Sequence, residues 1–320
     1  MEASDYPEAV TTGEDWTLSV SMRVALAHAA VQVLAEDCGA DVLHIKGPAV
    51  DDSLLDSRPA QDAEADGEST EVVRRSSIDA DVLVRPGHVQ RLLEAMQSSG
   101  GWTSVSRFED SSPFEYDATL EHPFLGHTDV HRWFPGIGCE PETAFDRLWA
   151  DRHTVHIAGY PCAVPAVTAQ RLVLLLHAAR GPVDGNADVR RTWDSATPAE
   201  RAEVERLAVD LKATVALAAA TGRLDQVKGD RSRELWQLLS SGDSRRVALW
   251  WAVVKSARTP WQATRASVRL AVPRRAVLRL KLRQRHHVGH ISRQRGKGSE
   301  AAEQGQRGQL RNTFHRIARR

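Results

Sequence analysis

Two aspartates, Asp79 and Asp81, alternate with apolar residues in the stretch Ile78-Asp79-Ala80-Asp81-Val82. Side chains of a β-strand alternate between its two faces, so both carboxylates are predicted to share one face while the other face joins a core. Two carboxylates this close raise each other's pKa unless a cation lies between them. Oxygen ligands with retained water suit Mg²⁺ or Mn²⁺. The stretch therefore predicts a metal site, although an Asp-x-Asp on the exposed face of an edge strand needs no metal.

A second pair with the same spacing, Asp129 and His131, flanks the apolar Val130. On a strand these two also share a face, which adds a third carboxylate to the candidate ligands. Asp79, Asp81 and Asp129 are thus the predicted catalytic and metal-binding residues. His131 either orients Asp129, contacts substrate, or packs as a structural residue at the end of the strand.

A short apolar segment, Val42 to Ile45, runs directly into Lys46-Gly47-Pro48. This pattern predicts a buried strand that breaks into a turn before a helix. Glycine lets a ligand approach the backbone, and a helix N-terminus can receive a phosphate group. Lys46 would add a positive point charge beside it. The segment predicts a phosphate-binding turn.

Composition narrows the class of protein. The chain has 320 residues, of which 42% are hydrophobic, enough for a sizeable core. No stretch reaches the roughly 18 to 20 consecutive apolar residues that a membrane span needs, and the acidic start does not resemble a secretory signal. Three cysteines without a Cys-x-x-Cys pair offer neither a disulfide framework nor a zinc site. The expected location is the cytoplasm, with peripheral contact at a membrane surface left open.

The net charge of zero conceals a strongly basic C-terminal segment. Residues 274–320 contain 14 Lys or Arg and two Glu, a net charge of +12. Such a tail predicts an anionic partner or self-association with the acidic segment 48–76. Residues 258–285 predict a basic amphipathic helix that lies on anionic lipid or nucleic acid, or packs on the body of the protein.

The periodicity of the apolar residues predicts an α+β fold, in which a small mixed sheet with packed helices precedes a mainly helical C-terminal half. Helices are expected over 19–38, from Pro86 to Met96, and over 167–179, 198–221 and 232–256. Strands are expected over 42–45, at the Asp-x-Asp segment, and over 102–108, 114–120 and 128–133, which places Asp129 beside the Asp-x-Asp strand.

The same patterns predict a division of the chain into successive parts. These are a disordered lead-in (1–15), a catalytic domain (16–160) with an acidic insertion (48–76), a helical domain (161–257), the basic amphipathic helix (258–285), and a basic, disordered tail (286–320).

The ordered set of motifs carries a resemblance to a known family. Lys46-Gly47, the Asp-x-Asp strand, Asp129-Val130-His131 and the Leu-Leu-Leu-His of residues 174–177 resemble the uncharacterised nucleotidyltransferases of the DNA polymerase β-like superfamily. The match covers about residues 42–180. Many members of the superfamily have Gly-Ser or Gly-Gly at the turn, whereas Lys-Gly-Pro is the pattern of the narrower family.

The resemblance implies a nucleotidyltransferase-type sheet with Gly47 at the nucleotide-binding turn. It implies that Arg74 or Arg75 contacts the triphosphate, with Ser77 also among the nucleotide-binding residues. The implied activity is Mg²⁺-dependent (or Mn²⁺-dependent) transfer of a nucleoside monophosphate from a nucleoside triphosphate, such as ATP, to an unknown hydroxyl acceptor on a small molecule or protein.

Two other functions remain open from the sequence. The fold could be a catalytically inactive binding module that docks through its basic tail on nucleic acid, membrane or a biosynthetic partner. A polymerase-like activity on RNA ends would give steep salt dependence, but the chain has no aromatic-interleaved RNA-binding motif.

Overall fold

The computed structural model describes residues 18–59, 70–73, 77–108, 116–243 and 245–257, together with the helical residues Thr264 and Ser267. The predicted lead-in (1–15), the tail (286–320) and the candidate residues Arg74 and Arg75 lie outside the described residues. The predicted basic helix (258–285) lies outside them apart from Thr264 and Ser267.

The described elements confirm an α+β fold. The strands are β1 (Val42–Ile45), β2 (Asp56–Pro59), β3 (Thr70–Val73), β4 (Asp79–Val84), β5 (Thr103–Ser104), β6 (Asp117–His122), β7 (Gly126–His131), β8 (His153–Ile157) and β9 (Tyr160–Val164). The α-helices are α1 (Val20–Cys38), α2 (Val89–Ser98), α3 (Pro141–Ala150), α4 (Val167–Ala178), α5 (Ala187–Val189), α6 (Pro198–Asp210), α7 (Thr214–Ala220), α8 (Arg233–Ser240) and α9 (Arg246–Ser256).

A mixed five-stranded sheet, in the order β1-β4-β7-β6-β5, forms the centre of the first half. β4 and β7 run parallel, whereas the other neighbours are antiparallel. The register places Asp81 opposite Asp129, which confirms that Asp129 lies beside the Asp-x-Asp strand. β2 and β3 pair with each other within the predicted acidic insertion.

Both faces of this sheet are buried, whereas the sequence predicted a core on only one. Val82, Val84 and Val130 pack against α1 and α2. On the opposite face Leu43, Ile45 and Leu83 belong to one hydrophobic cluster with residues of α4, α6 and α7. The second half is mainly helical, as predicted, and α4 covers the face that carries the aspartates. The charged groups therefore lie at the edge of a second core.

Two predicted helices are each divided in two. The helix predicted over 198–221 ends at Asp210, because the Leu211 carbonyl accepts hydrogen bonds from the Gly138 and Cys139 N–H groups and Lys212 has a φ of 52°. The helix predicted over 232–256 is interrupted after Ser240, near Gly242 with a φ of 70°.

Helix α3 and the β8–β9 hairpin were not predicted, and β9 begins at residue 160, the predicted end of the catalytic domain. In the described part of the chain, no helix has the length and apolar character to span a membrane.

Gly136, in the loop after β7, marks a close approach between the two halves. Its φ is 100°, and an added Cβ would lie 2.9 Å from the Ala216 Cβ and 3.0 Å from the Leu176 Cδ2. Gly126 has a similar φ of 83° but nothing within 4 Å of an added Cβ. Both positions thus favour glycine because of their backbone conformation, but only at Gly136 do neighbouring side chains also leave no room for a Cβ atom.

We expect Gly136→Ala to destabilise the protein more than Gly126→Ala. Both variants lose about 1 to 2 kcal/mol from the left-handed backbone, and Gly136→Ala loses about 1 to 3 kcal/mol more from overpacking. Urea denaturation followed by circular dichroism measures the difference. Equal losses would show that α4 and α7 do not approach the loop this closely.

Candidate functional site

Asp81 lies at the centre of a buried polar group. Its side chain is 2% exposed, and its Oδ1 lies 2.5 Å from the Lys46 Nζ and 2.9 Å from the His131 Nε2. Burial alone would raise the pKa of Asp81, but the Lys46 charge and the His131 hydrogen bond outweigh it and hold that pKa well below its usual range. Asp81 is therefore ionised, with a cation and a hydrogen-bond donor on the same oxygen.

Asp129, directly opposite on β7, is in a different electrostatic state. Its Oδ1 accepts a hydrogen bond of 2.7 Å from the Thr119 hydroxyl. Burial raises the pKa of Asp129 to about 6; His131 opposes this effect and the nearby Asp81 charge adds to it. Two carboxylates in one row of the sheet thus have pKa values pushed in opposite directions.

Among the residues that the structure describes, three side chains could share a metal ion: Asp81, Asp129 and His131. One ligand atom from each lies within 4.8 Å of the others. Asp79 is not part of this group; its carboxylate accepts a 3.2 Å hydrogen bond from the Ser77 hydroxyl at the start of β4. Residues two apart on a strand are separated by about 6 to 7 Å along its axis. Sharing a face therefore does not by itself bring Asp79 to the same ion.

The group fits a divalent cation. With Nε2 of His131 donating to Asp81, its Nδ1 is buried and has no partner among the described residues, as is also true of Oδ1 of Asp117 on the neighbouring strand. Buried acceptors without donors favour a nearby cation. Two carboxylates with one imidazole suit Mn²⁺ as well as Mg²⁺.

The Lys46–Gly47 turn adjoins this group. Both residues have positive φ, 61° for Lys46 and 49° for Gly47. A Cβ on Gly47 would lie 3.1 Å from the Ser77 Cβ, so the predicted nucleotide-binding residues Lys46, Gly47 and Ser77 do come together. The expected α-helix does not follow: the turn leads into a three-residue 3₁₀ helix, Gly47–Ala49, which is too short to provide a helix-terminus phosphate site.

A chain of polar side chains, of which His28 and His44 are buried, lies beneath the turn. Gln32 donates from its amide to Glu36 at 3.1 Å, so its carbonyl oxygen accepts from the His44 Nε2 at 2.9 Å. The His44 Nδ1 then accepts from the His28 Nδ1 at 2.9 Å, and the His28 Nε2 carries the lone pair that faces Gly47. Burial lowers the pKa of His28 to about 4 and that of His44 well below its usual value, so both are neutral.

Arg180 and Tyr116 complete the site, although sequence reasoning did not include them. Arg180 follows α4 and donates a hydrogen bond to the Tyr116 hydroxyl, with its guanidinium 4.5 Å from the centre of the Tyr116 ring. Tyr116 in turn stacks on His131, with ring centres 5.5 Å apart and planes 12° apart. Arg180 is the last residue of the stretch that resembles the nucleotidyltransferase family. Its place within that stretch was the only feature of the sequence that could have pointed to Arg180.

Comparison with known proteins gives a limited result. No protein-family model matches the chain, and no curated protein matches it. Among solved structures, the antibiotic-resistance factor ANT(2'')-Ia is similar with 14% identity, a TM-score of 0.35, and coverage of 66% of this chain and 97% of that chain. The lincosamide antibiotic adenylyltransferase LnuA, solved with lincomycin bound, has 15% identity, a TM-score of 0.30, and coverage of 59% and 96% respectively. At these values neither sequence nor overall superposition is close.

We expect the Lys46–Asp81 pair to be strongly coupled. Lys46→Met leaves the Asp81 charge buried without its cation, which costs about 3 to 5 kcal/mol. Asp81→Asn likewise leaves Lys46 unpaired, while the double variant recovers much of the combined loss. Urea denaturation at pH 8 of the wild type, the two single variants and the double variant measures the coupling free energy between Lys46 and Asp81.

Lys255→Met, which removes an exposed ion pair with Glu234, is the control and should change the free energy of unfolding by less than about 1 kcal/mol. Additive losses from Lys46 and Asp81 would contradict the coupling.

We also expect His28 to make the fold less stable in mild acid. In the unfolded chain a histidine takes up a proton near pH 6.5, whereas folded His28 does so only near pH 4. The contribution of neutral His28 to the free energy of unfolding is therefore fully present above pH 6.5, and it decreases by about 3 kcal/mol as the pH falls to 4. His28→Asn retains a donor for His44 without titrating, so it should flatten the pH dependence of the unfolding free energy.

The exposed His156 on β8 provides the matched control for this measurement. His156→Asn should leave the pH dependence between 4 and 6.5 unchanged. If the His28 variant and the wild type lose stability in parallel, the assignment of a buried neutral His28 is wrong.

Proposed function

We propose that this protein is a divalent-metal-dependent nucleotidyltransferase that moves a nucleoside monophosphate from a nucleoside triphosphate to a hydroxyl group of a small-molecule or protein acceptor. The observation that carries the proposal is the meeting of Asp81, Asp129 and His131 on two parallel strands beside the Lys46–Gly47 turn. The motif order in the sequence supports the same function.

Asp81 and Asp129, with His131, would hold the Mg²⁺ or Mn²⁺ ion. When bound, such an ion neutralises phosphate charge and makes an acceptor hydroxyl more acidic. Asp79, placed one row away with Ser77, is a candidate for contact with the nucleotide or with a second ion. Its predicted role as a metal ligand remains a prediction.

Asp129 is suited to act as the general base. It belongs to the group that could hold the metal ion, and as an ionised carboxylate it would accept the proton of the acceptor hydroxyl. The acceptor oxygen then bonds to the α-phosphorus as the bond to the bridging oxygen breaks, and pyrophosphate leaves. Lys46 would stabilise the charge on the departing phosphates, and Gly47 would let them approach the backbone.

One observation favours the alternative of a non-catalytic binding module. The ammonium group of Lys46 already neutralises Asp81 at 2.5 Å, so the buried carboxylate has a cation built into the chain. A fold that had lost its metal could retain such a pair. Under this alternative, nucleotide or partner binding would not depend on divalent ions.

The test combines ligand-induced stability with transfer of label from α-³²P nucleoside triphosphates. We expect one triphosphate with Mg²⁺ or Mn²⁺ to raise the melting temperature, since ligand at 100 times its Kd stabilises by about 2.7 kcal/mol. With a panel of hydroxylated small molecules, antibiotics included, and protein acceptors, label transfer should fall by about 100-fold or more in Asp129→Asn and Asp81→Asn.

Asp151→Asn serves as the control, because its carboxylate is exposed and pairs with Arg147, four residues earlier, outside the candidate site. It should bind metal and nucleotide like the wild type. Asp79→Asn should reduce metal affinity less than Asp81→Asn, because it is outside the three-residue group. Nucleotide binding that is unaffected by metal removal would support the non-catalytic module instead.

A further inference from the structure

We propose that Arg180 is an anion-binding residue of this site and that its ligand is the triphosphate of the nucleotide. This inference rests on the proposed function and assigns to it a residue from the helical half of the chain. No candidate residue in the sequence analysis lay beyond His131, and the predicted triphosphate contacts, Arg74 and Arg75, lie outside the described residues.

The guanidinium of Arg180 has no counterion among the residues that the structure describes. No carboxylate in the described part of the chain lies within ion-pair distance of its guanidinium, whose side-chain hydrogen bond goes to the neutral Tyr116 hydroxyl. Burial lowers the pKa of Arg180, with the Asp81 charge acting in the opposite direction. A partly buried cation without an anion is costly, and binding an anion removes that cost.

Three other arginines that join elements of this protein have carboxylate partners. Arg171, in α4, pairs with Glu200 at 2.5 Å. Arg85 pairs with Asp41 and Asp146, and Arg223 pairs with Glu205 at 2.6 Å. Arg180 is different because its partner is a phenol, which leaves donors of its planar guanidinium available for an oxyanion.

Arg180 lies close to the group that could hold the metal ion. Its guanidinium packs on Tyr116, and Tyr116 stacks on His131, which donates to Asp81. Two contacts thus connect Arg180 to His131, a member of that group. The ring of Tyr116 also fixes the plane of the guanidinium, so that less side-chain freedom is lost when an anion binds.

The charges of the site are not balanced. Among the described residues, Lys46 is already neutralised by Asp81, whereas Arg180 has no carboxylate partner. A triphosphate brings several negative charges to a region where Asp81 and Asp129 would otherwise repel it. The contacts run from Arg180 through Tyr116, His131 and Asp81 to Lys46, so the two cations are at opposite ends. The charge of Arg180 would offset the repulsion between the triphosphate and the aspartates. An anionic group on the acceptor would have the same chemistry, and the experiment separates the two sources.

The experiment measures binding of inorganic tripolyphosphate, of nucleoside triphosphates and of the matching uncharged nucleosides by calorimetry. Arg180→Gln should weaken tripolyphosphate and nucleoside triphosphate binding by about 10- to 100-fold, as expected for losing charge-assisted hydrogen bonds, with nucleoside binding unchanged. Arg180→Lys should restore part of the affinity, because it keeps the charge without the planar fork. A packing defect would weaken all ligands alike.

Two controls keep the result interpretable. Arg152→Gln removes an arginine that also packs on an aromatic ring, Trp149, at 3.9 Å, and it should bind triphosphate like the wild type. Tyr116→Phe retains the ring but removes the hydroxyl that occupies a donor of Arg180, so it should increase triphosphate affinity.

The failures are distinguishable. If the wild type binds triphosphate and Arg180→Gln binds it equally well, Arg180 has no such role while the proposed function stands. If that variant instead raises only the KM for the acceptor, the anion belongs to the acceptor and the triphosphate assignment is overturned. If the wild type binds no triphosphate with or without metal, the proposed function itself fails.

Discussion

The buried ion pair between Lys46 and Asp81 is the interaction on which the rest of the site depends. It joins the turn after β1 to the middle of β4, and it holds Lys46 in a left-handed conformation that a lysine rarely adopts. Taking both charges out of water is expensive, so the pair contributes little net stability. Its effect is on geometry: it fixes the Lys46–Gly47 turn against the strand that carries the aspartates.

The same pair explains why two neighbouring carboxylates differ. Asp81 receives the Lys46 charge and the His131 hydrogen bond, whereas Asp129 receives only a hydroxyl from Thr119. The Asp81 carboxyl group is therefore ionised, whereas burial raises the pKa of Asp129 to about 6. In enzymes, environments that push two pKa values apart divide the roles of charge stabiliser and base. In this protein the difference in pKa follows from burial together with the contacts that Lys46 and His131 make with Asp81.

Local periodicity was sufficient to predict most of the sheet but not the membership of the site. Period-two patterns identified β4 and β7, an apolar run identified β1, and the predicted strands placed Asp129 beside the Asp-x-Asp strand. They could not decide that His131 rather than Asp79 joins the group, because both pairs have the same spacing and the reach and direction of each side chain depend on the folded structure. The Glu140–Pro141 start of α3, with a side-chain cap and proline at N1, was a local signal that the sequence analysis did not use.

Long-range contacts account for the remaining differences. The end of α6 depends on N–H groups of Gly138 and Cys139, about 70 residues earlier in the chain, which bind the Leu211 carbonyl. No window of sequence around Leu211 contains that information. Arg180 is similar: it meets Tyr116 only because α4 packs across the sheet, and its sequence surroundings are those of an ordinary core helix.

The shared core has a consequence for how the site works. Leu43, Ile45 and Leu83 belong to the same cluster as the residues of α4, so the sheet and the helical half cannot move apart without exposing apolar surface. Arg180 at the end of α4 is thereby held at a fixed distance from the aspartates on β4 and β7. Under the proposed function, a triphosphate would lie between anionic and cationic groups, and their spacing would have to be set before the ligand arrives. The packing of α4 on the sheet would then contribute to the geometry of the proposed binding site.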